Sequence, residues 1–175
     1  MNILFESPGC QEFYDHWRQL SRGAMLPHTR TYFDHPTNLI RRTFIFELLP
    51  EGTLARLMGT ELVARWQQNV TGEYLESHMA HSDSQRFRRD LEMVCAHPVG
   101  ASGVGEARTS TNRPLGFEAL VLPLAVDAGK PPRCVLYREC HGELDFHERK
   151  VGFYWPQKRE WIDLGAGVPA GKPFK

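Results

Sequence analysis

Apolar residues recur at two different spacings along this chain, and the change of spacing separates helices from strands. Over residues 11–21, Phe13, Trp17 and Leu20 fall at i, i+4 and i+7, which predicts a helix with one apolar stripe. Gly23 stands where such a helix would stop. Residues 44–49, Phe-Ile-Phe-Glu-Leu-Leu, are dense in aromatic and branched side chains and predict a strand. Pro50-Glu51-Gly52 is a turn signal, and residues 53–58 alternate. Strict alternation puts Leu54, Arg56 and Met58 on one face and Thr53, Ala55 and Leu57 on the other. Gly59-Thr60 ends this strand, and Thr60 is a good N-cap for a helix over 61–68 that closes on Thr71-Gly72.

The helical spacing returns at residues 82–97. Phe87, Leu91, Val94 and Cys95 form its buried face, and His97-Pro98 stops it. Residues 115–126, LGFEALVLPLAV, are the most hydrophobic run and predict a central strand, with Pro123 marking a bulge or an edge position. Residues 133–140 predict a further strand. Residues 99–109 are Gly-rich and end in alternation at Val104, Glu106 and Arg108. Two strands, helices, then three strands predict an α+β fold with a five-stranded antiparallel sheet and helices on one face. The apolar stripe of the first helix packs on the domain or on a second copy of it. Residues 151–162, VGFYWPQKREWI, are aromatic enough to form a strand or lie across the sheet, and residues 165–175 read as a flexible tail. The organisation expected is an N-terminal helix and extended cover over 1–42, a core over 43–140 and a C-terminal extension over 141–175.

Composition narrows the function classes. The 175 residues carry 21 basic and 21 acidic side chains, a balance that argues against a nucleic-acid binder relying on a strong positive field. No apolar run approaches the length of about 18 residues that a membrane helix needs, and the first residues lack the basic start of a signal peptide. A cytoplasmic location is therefore expected, with no membrane partner. Cys10, Cys95, Cys134 and Cys140 form no C-x-x-C pair and read as reduced thiols.

The candidate chemistry is sparse. His78 and His81, at i and i+3, could hold a metal or haem iron, and His97 is a lone candidate haem ligand; exposed loop histidines and a helix-end hydrogen bond explain them more simply. Cys95 reads as a small core residue. The glycines of residues 100–105 resemble a phosphate cradle only superficially, since a helix precedes them and a strand follows, and turn or bulge glycines are the better reading. There is no G-x-S-x-G, and Glu73, Glu76 and Glu92 have nothing to single them out as paired catalytic carboxylates. No catalytic residue and no metal site is assigned, and no enzyme is expected. Arg56 either pairs with a carboxylate, Glu47 across the hairpin being the nearest choice, or meets a ligand anion.

Trp17…Arg22-Gly23…Pro27…Arg30, then Asp34…Pro36, then Arg56-Leu57-Met58-Gly59-Thr60-Glu61-Leu62, then Thr71-Gly72 and the strand FEALVLPLA together resemble short, stand-alone bacterial PAS-like domains, a divergent branch of the PAS sensor superfamily. The likeness covers about residues 11–140. Similar chains read Asp-Pro where this one has Asp34-His35-Pro36, and they carry a Gly before the Thr-Gly where this one has Trp66-Gln67-Gln68-Asn69. A helix that ends on Gln67 rather than Gly is expected to run on or to end less sharply.

The resemblance implies a sheet and flanking helices around a small-molecule pocket. It implies a sensory or signalling domain without catalytic output, which would act through a separate effector protein and dimerise through its N-terminal helix. No kinase, cyclase or DNA-binding segment is expected after the domain. The expected lining is Phe46, Leu48, Arg56, Leu57, Val63, Trp66, Leu91, Cys95, Val104, Leu120, Leu122 and Tyr137. No cofactor is identified. The alternatives are a ligand-free protein-interaction or dimerisation module and a haem- or flavin-binding redox sensor.

Overall fold

The computed structural model describes residues 5–34, 36–145, 147–148, 150–151 and 153–170. His35 of the Asp-His-Pro stretch and residues 171–175 of the expected tail lie outside the described residues. The chain forms an antiparallel sheet with helices on both faces. Strands β1 (Thr43–Leu49) and β2 (Gly52–Met58) make the expected hairpin, and β3 (Gly100–Thr109), β4 (Pro114–Leu124) and β5 (Arg133–Cys140) follow. Two further strands come from the C-terminal stretch, β6 (Lys150–Val151) and β7 (Lys158–Ile162). The order is β2-β1-β5-β4-β3, with β6 and β7 both paired to the outer edge of β3. The α+β class with an antiparallel sheet expected from the sequence is the one observed; the helices lie on both faces rather than one, because the apolar stripe of the N-terminal helix packs on the outer face, and the C-terminal strands extend the expected five.

The register of the hairpin corrects one expectation. Phe46 pairs with Ala55 but Ile45 pairs with Leu57, so Arg56 has no partner and forms a bulge. The extra residue flips the parity beyond it. Ala55 and Met58 face the inner core, and Leu57 turns to the opposite face. The glycines over 100–105 are a second correction, because they lie within β3 and not in a turn. A Cβ on Gly103 would sit 2.4 Å from the Lys158 carbonyl, and one on Gly105 would sit 2.7 Å from the Phe117 ring. Side chains are excluded there so that β7 and Phe117 can approach the backbone. Pro123 pairs with Cys134 of β5 and lies past Ala101↔Val121, where the β3 ladder ends, so its missing N–H breaks no ladder on that side.

Helix α1 (Pro8–Leu20) lies on the outer face. Pro8 opens it, and Cys10, Phe13 and Trp17 are buried against Leu120, Leu122, Val135 and Tyr137. Phe13 stacks on Tyr137 at 4.9 Å. The stripe offered by the sequence as a dimer contact is thus seated on the chain's own sheet. Ser7 spends its side chain on Glu118 of β4 at 2.5 Å rather than on capping, and Glu118 also takes the Ser7 and Glu6 amides at 2.7 and 3.1 Å. That buried carboxylate pins the start of α1. Arg22 and Gly23 then turn the chain with positive φ, as the stop signal anticipates.

The inner face is covered by α3 (Thr60–Trp66) and α4 (His81–Ala96), after the single turn α2 (Thr37–Ile40). Gly59, not Thr60, is at the N-cap of α3. A Cβ on Gly59 would lie 2.4 Å from the Arg41 carbonyl, so this glycine is required by the close pass of the α2 turn. Helix α3 ends sharply. Gln67 adopts the left-handed conformation at φ 53°, doing without the glycine that usually sits there. The expectation of a longer or frayed end is therefore corrected.

Candidate functional site

The space between the inner sheet face and helices α3 and α4 is an aromatic chamber. Alternation along β1 and β5 delivers Phe44, Phe46, Leu48, Cys134 and Leu136 to its floor; α3 adds Leu62 and Trp66, and α4 adds Phe87, Leu91 and Val94 at i, i+4 and i+7. Its centre is occupied by Phe153, which comes from the stretch between β6 and β7. The Phe153 ring lies 5.8 Å from Phe44, 5.6 Å from Trp66 and 5.4 Å from Phe87. Trp155 follows at 4.9 Å from Phe87, edge-on. These centroid distances and tilted planes are the favourable geometry for aromatic pairs. Both residues are nearly inaccessible to solvent, at 2% and 4%.

Polar ties hold this segment as well. The Phe153 amide donates to the His78 carbonyl at 3.1 Å. Trp155 Nε1 donates to Asp90 Oδ2 of α4 at 2.7 Å, and Arg159 Nε lies 2.5 Å from the same oxygen. Burial holds the Asp90 carboxyl above its ordinary range, against the pull of the Trp155 and Arg159 donors, and burial likewise lowers Arg159.

Arg138 lies on the chamber side of β5, sharing the parity of Cys134 and Leu136, and is 2% exposed. Its guanidinium lies 3.5 Å over the Phe117 ring and 5.4 Å from the Phe153 ring. Nη1 donates to the Tyr154 carbonyl at 3.3 Å. Burial pushes Arg138 down to about 10, with the Cys140 thiol beside it acting in the other direction, so it is charged at neutral pH.

The expected lining residues divide between the two faces. Phe46, Leu48, Val63, Trp66, Leu91 and Cys95 meet in or against the chamber. Leu57, Leu120, Leu122 and Tyr137 lie on the α1 face: the bulge turns Leu57 outward, and a one-residue parity slip misplaces the other three. Val104 is half-buried at the β3–β7 edge. Arg56 is half-exposed, with Nε 3.7 Å from Glu47, whose closer partner is Arg133 at 2.6 Å. The ion pair expected across the hairpin is present, with Arg133 added.

His78 pairs with Glu73 at 2.7 Å and His81 meets Gln85 at 3.0 Å. Among the described residues no three metal-ligating side chains cluster. Cys95 Sγ lies 3.7 Å from the Arg133 carbonyl, and burial drives the neighbouring Cys134 thiol well above its ordinary range, which keeps it protonated. An open cleft of 650 Å³ flanks α3, where Glu61 pairs with Arg41, Arg42 and Arg65 at 3.0, 2.9 and 3.5 Å. Burial raises Glu61, but the three guanidiniums outweigh it and lower the carboxyl overall. Phe153, Trp155, Asp90 and Arg138 were not singled out from the sequence. The signals were there: an aromatic-dense C-terminal stretch, and an arginine in phase with the inward residues of a hydrophobic strand.

The profile of the PAS domain family matches residues 5–136, three quarters of the chain, and the chain belongs to that family. Among solved structures, a variant of RsLOV is 12% identical, with a TM-score of 0.46, over 68% of this chain and 73% of that one. A fungal LOV domain photoreceptor is 13% identical, with a TM-score of 0.39, over 60% of this chain and 76% of that one. No protein of curated function matches. Among the described residues, no helix is long and apolar enough to cross a membrane.

Proposed function

We propose that the chain is a cytoplasmic PAS-type sensory domain with no catalysis of its own. It takes a small molecule into the apolar chamber between the inner sheet face and helices α3 and α4, and passes the event to a separate effector protein. The observation that carries this reading is the origin of Phe153. The family match ends at residue 136, yet the centre of the chamber is filled by a ring from beyond that limit. A domain chamber stoppered by a detachable segment can exchange that segment for a ligand, and the exposed state of the segment is then the output. The same packing favours a second reading, a ligand-free interaction module whose core is complete in itself. Of the histidines the haem reading would use, His78 and His81 already have protein partners, while His97 Nε2 at the end of α4 is buried without a hydrogen-bond partner among the described residues. A second copy, if it binds, meets the exposed side of α1, because the apolar stripe is taken.

Native mass spectrometry of the whole chain, with thermal-shift screening of small metabolites, tests the proposal. A co-purifying molecule, or a stabilising compound whose effect grows in Phe153→Ala, supports the sensor. Failure of both wild type and Phe153→Ala to bind any compound hands the reading to the interaction module.

A further inference from the structure

Arg138 carries an unmet demand. Its Nε and Nη2 are buried, and among the described residues neither has a hydrogen-bond partner. These two nitrogens form one edge of the guanidinium, the edge that grips a carboxylate through two parallel bonds. No carboxylate reaches that edge from the described residues. Glu61 is engaged by Arg41, Arg42 and Arg65, and Glu139 by Arg42 at 3.0 Å. The side chains that act on it are the Cys140 thiol, which favours its charged form but is no carboxylate, and Arg65, a second cation, which opposes it. A buried charge without an anion is a strongly unfavourable arrangement, and an arginine does not escape it by losing its proton.

What faces Arg138 is informative. The segment beyond the family match offers it a phenyl ring, Phe153, and a single oxygen, the Tyr154 carbonyl. A ring joined to an acceptor oxygen is the outline of an aryl carboxylate, with the carbonyl supplying only part of an anion's charge. We propose that the chamber's ligand is a small organic acid with an aromatic body. Its carboxylate binds the Nε–Nη2 edge of Arg138, and its ring replaces Phe153 against Phe44, Trp66 and Phe87. This rests on the sensory reading above and specifies the chemistry of its ligand.

The test uses the whole chain and matched pairs of probes, phenylacetate with phenylacetamide and indole-3-acetate with indole-3-acetamide, followed by calorimetric titration and thermal shift. The acids are expected to bind about tenfold or more tightly than the amides, the scale of a charge-assisted bidentate pair. Arg138→Met is expected to erase that preference, and Phe153→Ala to strengthen binding of the acids. Arg138→Lys, which keeps the charge without the fork, decides the matter if Arg138→Met does not fold: the preference should fall with it too. Equal binding of acids and amides, or a preference that survives both Arg138 variants, overturns the anion anchor and leaves the sensory chamber standing. Absence of binding by any probe to wild type and to Phe153→Ala overturns the anchor, and the metabolite screen then decides the sensory reading separately.

Discussion

Trp155 Nε1 and Asp90 Oδ2 meet at 2.7 Å across the boundary between the C-terminal segment and α4, and Arg159 joins the same oxygen. The carboxylate and guanidinium side chains are 0% and 1% exposed. Asp90→Asn leaves the guanidinium buried without its anion and should destabilise the fold by about 3–5 kcal/mol. Trp155→Phe keeps the ring against Phe87 and removes one donor, at a cost of about 1–3 kcal/mol. Urea denaturation of both variants measures the difference; an Asp90→Asn effect no larger than that of Trp155→Phe would show that the ion pair is not what holds the segment.

Glu148 sets an acid limit on stability. Arg113 and Thr111 donate to it, Thr109 donates at 2.9 Å and the Asp145 amide at 3.1 Å, and the Arg113 pair holds the carboxyl well below its ordinary 4.5. A carboxylate lowered in the folded state contributes stability above its ordinary value, and that contribution is lost as the pH falls through the folded value. Stability should therefore decline below about pH 4.5 in wild type and decline less steeply in Glu148→Gln. Asp90, raised by burial, has the opposite sign, whereas Glu61, lowered by its three guanidiniums, loses stability in the same window, so it is the difference between the wild-type and Glu148→Gln curves from pH 7 to pH 3 that isolates Glu148.

Much of the sheet is legible in the sequence because its signals are local. The Pro50-Glu51-Gly52 turn, the apolar run through Leu120 and the heptad-like Phe87, Leu91 and Val94 each name an element without reference to the rest. The faces are harder. Arg56 bulges, and Leu57 consequently points away from Ala55, a fact set by pairing with β1 and invisible in alternation alone. The candidate site fares similarly. Phe46 and Trp66 are found by pattern, while Phe153 is a long-range contact whose place depends on how β7 docks on β3. The demand of Arg138 is set by which carboxylates fail to reach it, which a linear pattern does not encode.

Gln67 offers a gain. Its φ of 53° is a conformation that costs an ordinary residue about 1 kcal/mol and glycine nothing. Its side chain is exposed, so little packing is forfeited. Gln67→Gly should raise stability by about 0.5–1 kcal/mol in the net, read as a higher denaturation midpoint with an unchanged slope. A lower midpoint would mean that the flexibility added to the unfolded chain outweighs the relief of strain.

Gly59 is the contrasting case, because its φ of −65° is one that any residue adopts. What forbids a side chain is the Arg41 carbonyl carbon and oxygen, 2.5 and 2.4 Å from a Cβ built there, with the Ile40 carbonyl at 2.7 Å. These are backbone atoms of the α2 turn, held in place by the Glu61 amide donating to the Arg41 carbonyl at 3.0 Å, so no rotamer change removes the clash. Gly59→Ala must therefore push the α2 turn away from the start of α3, at an expected cost of about 1–3 kcal/mol. The displacement should also weaken the pairing of Arg41 and Arg42 with Glu61. Gly23→Ala is the control: its Cβ meets nothing within 4 Å, and its φ of 87° makes the penalty purely conformational. Hydrogen exchange separates the two, since Gly59→Ala should speed exchange of the Glu61 amide while Gly23→Ala leaves it protected. If the Glu61 amide stays protected in Gly59→Ala, the turn and helix are not coupled through this contact.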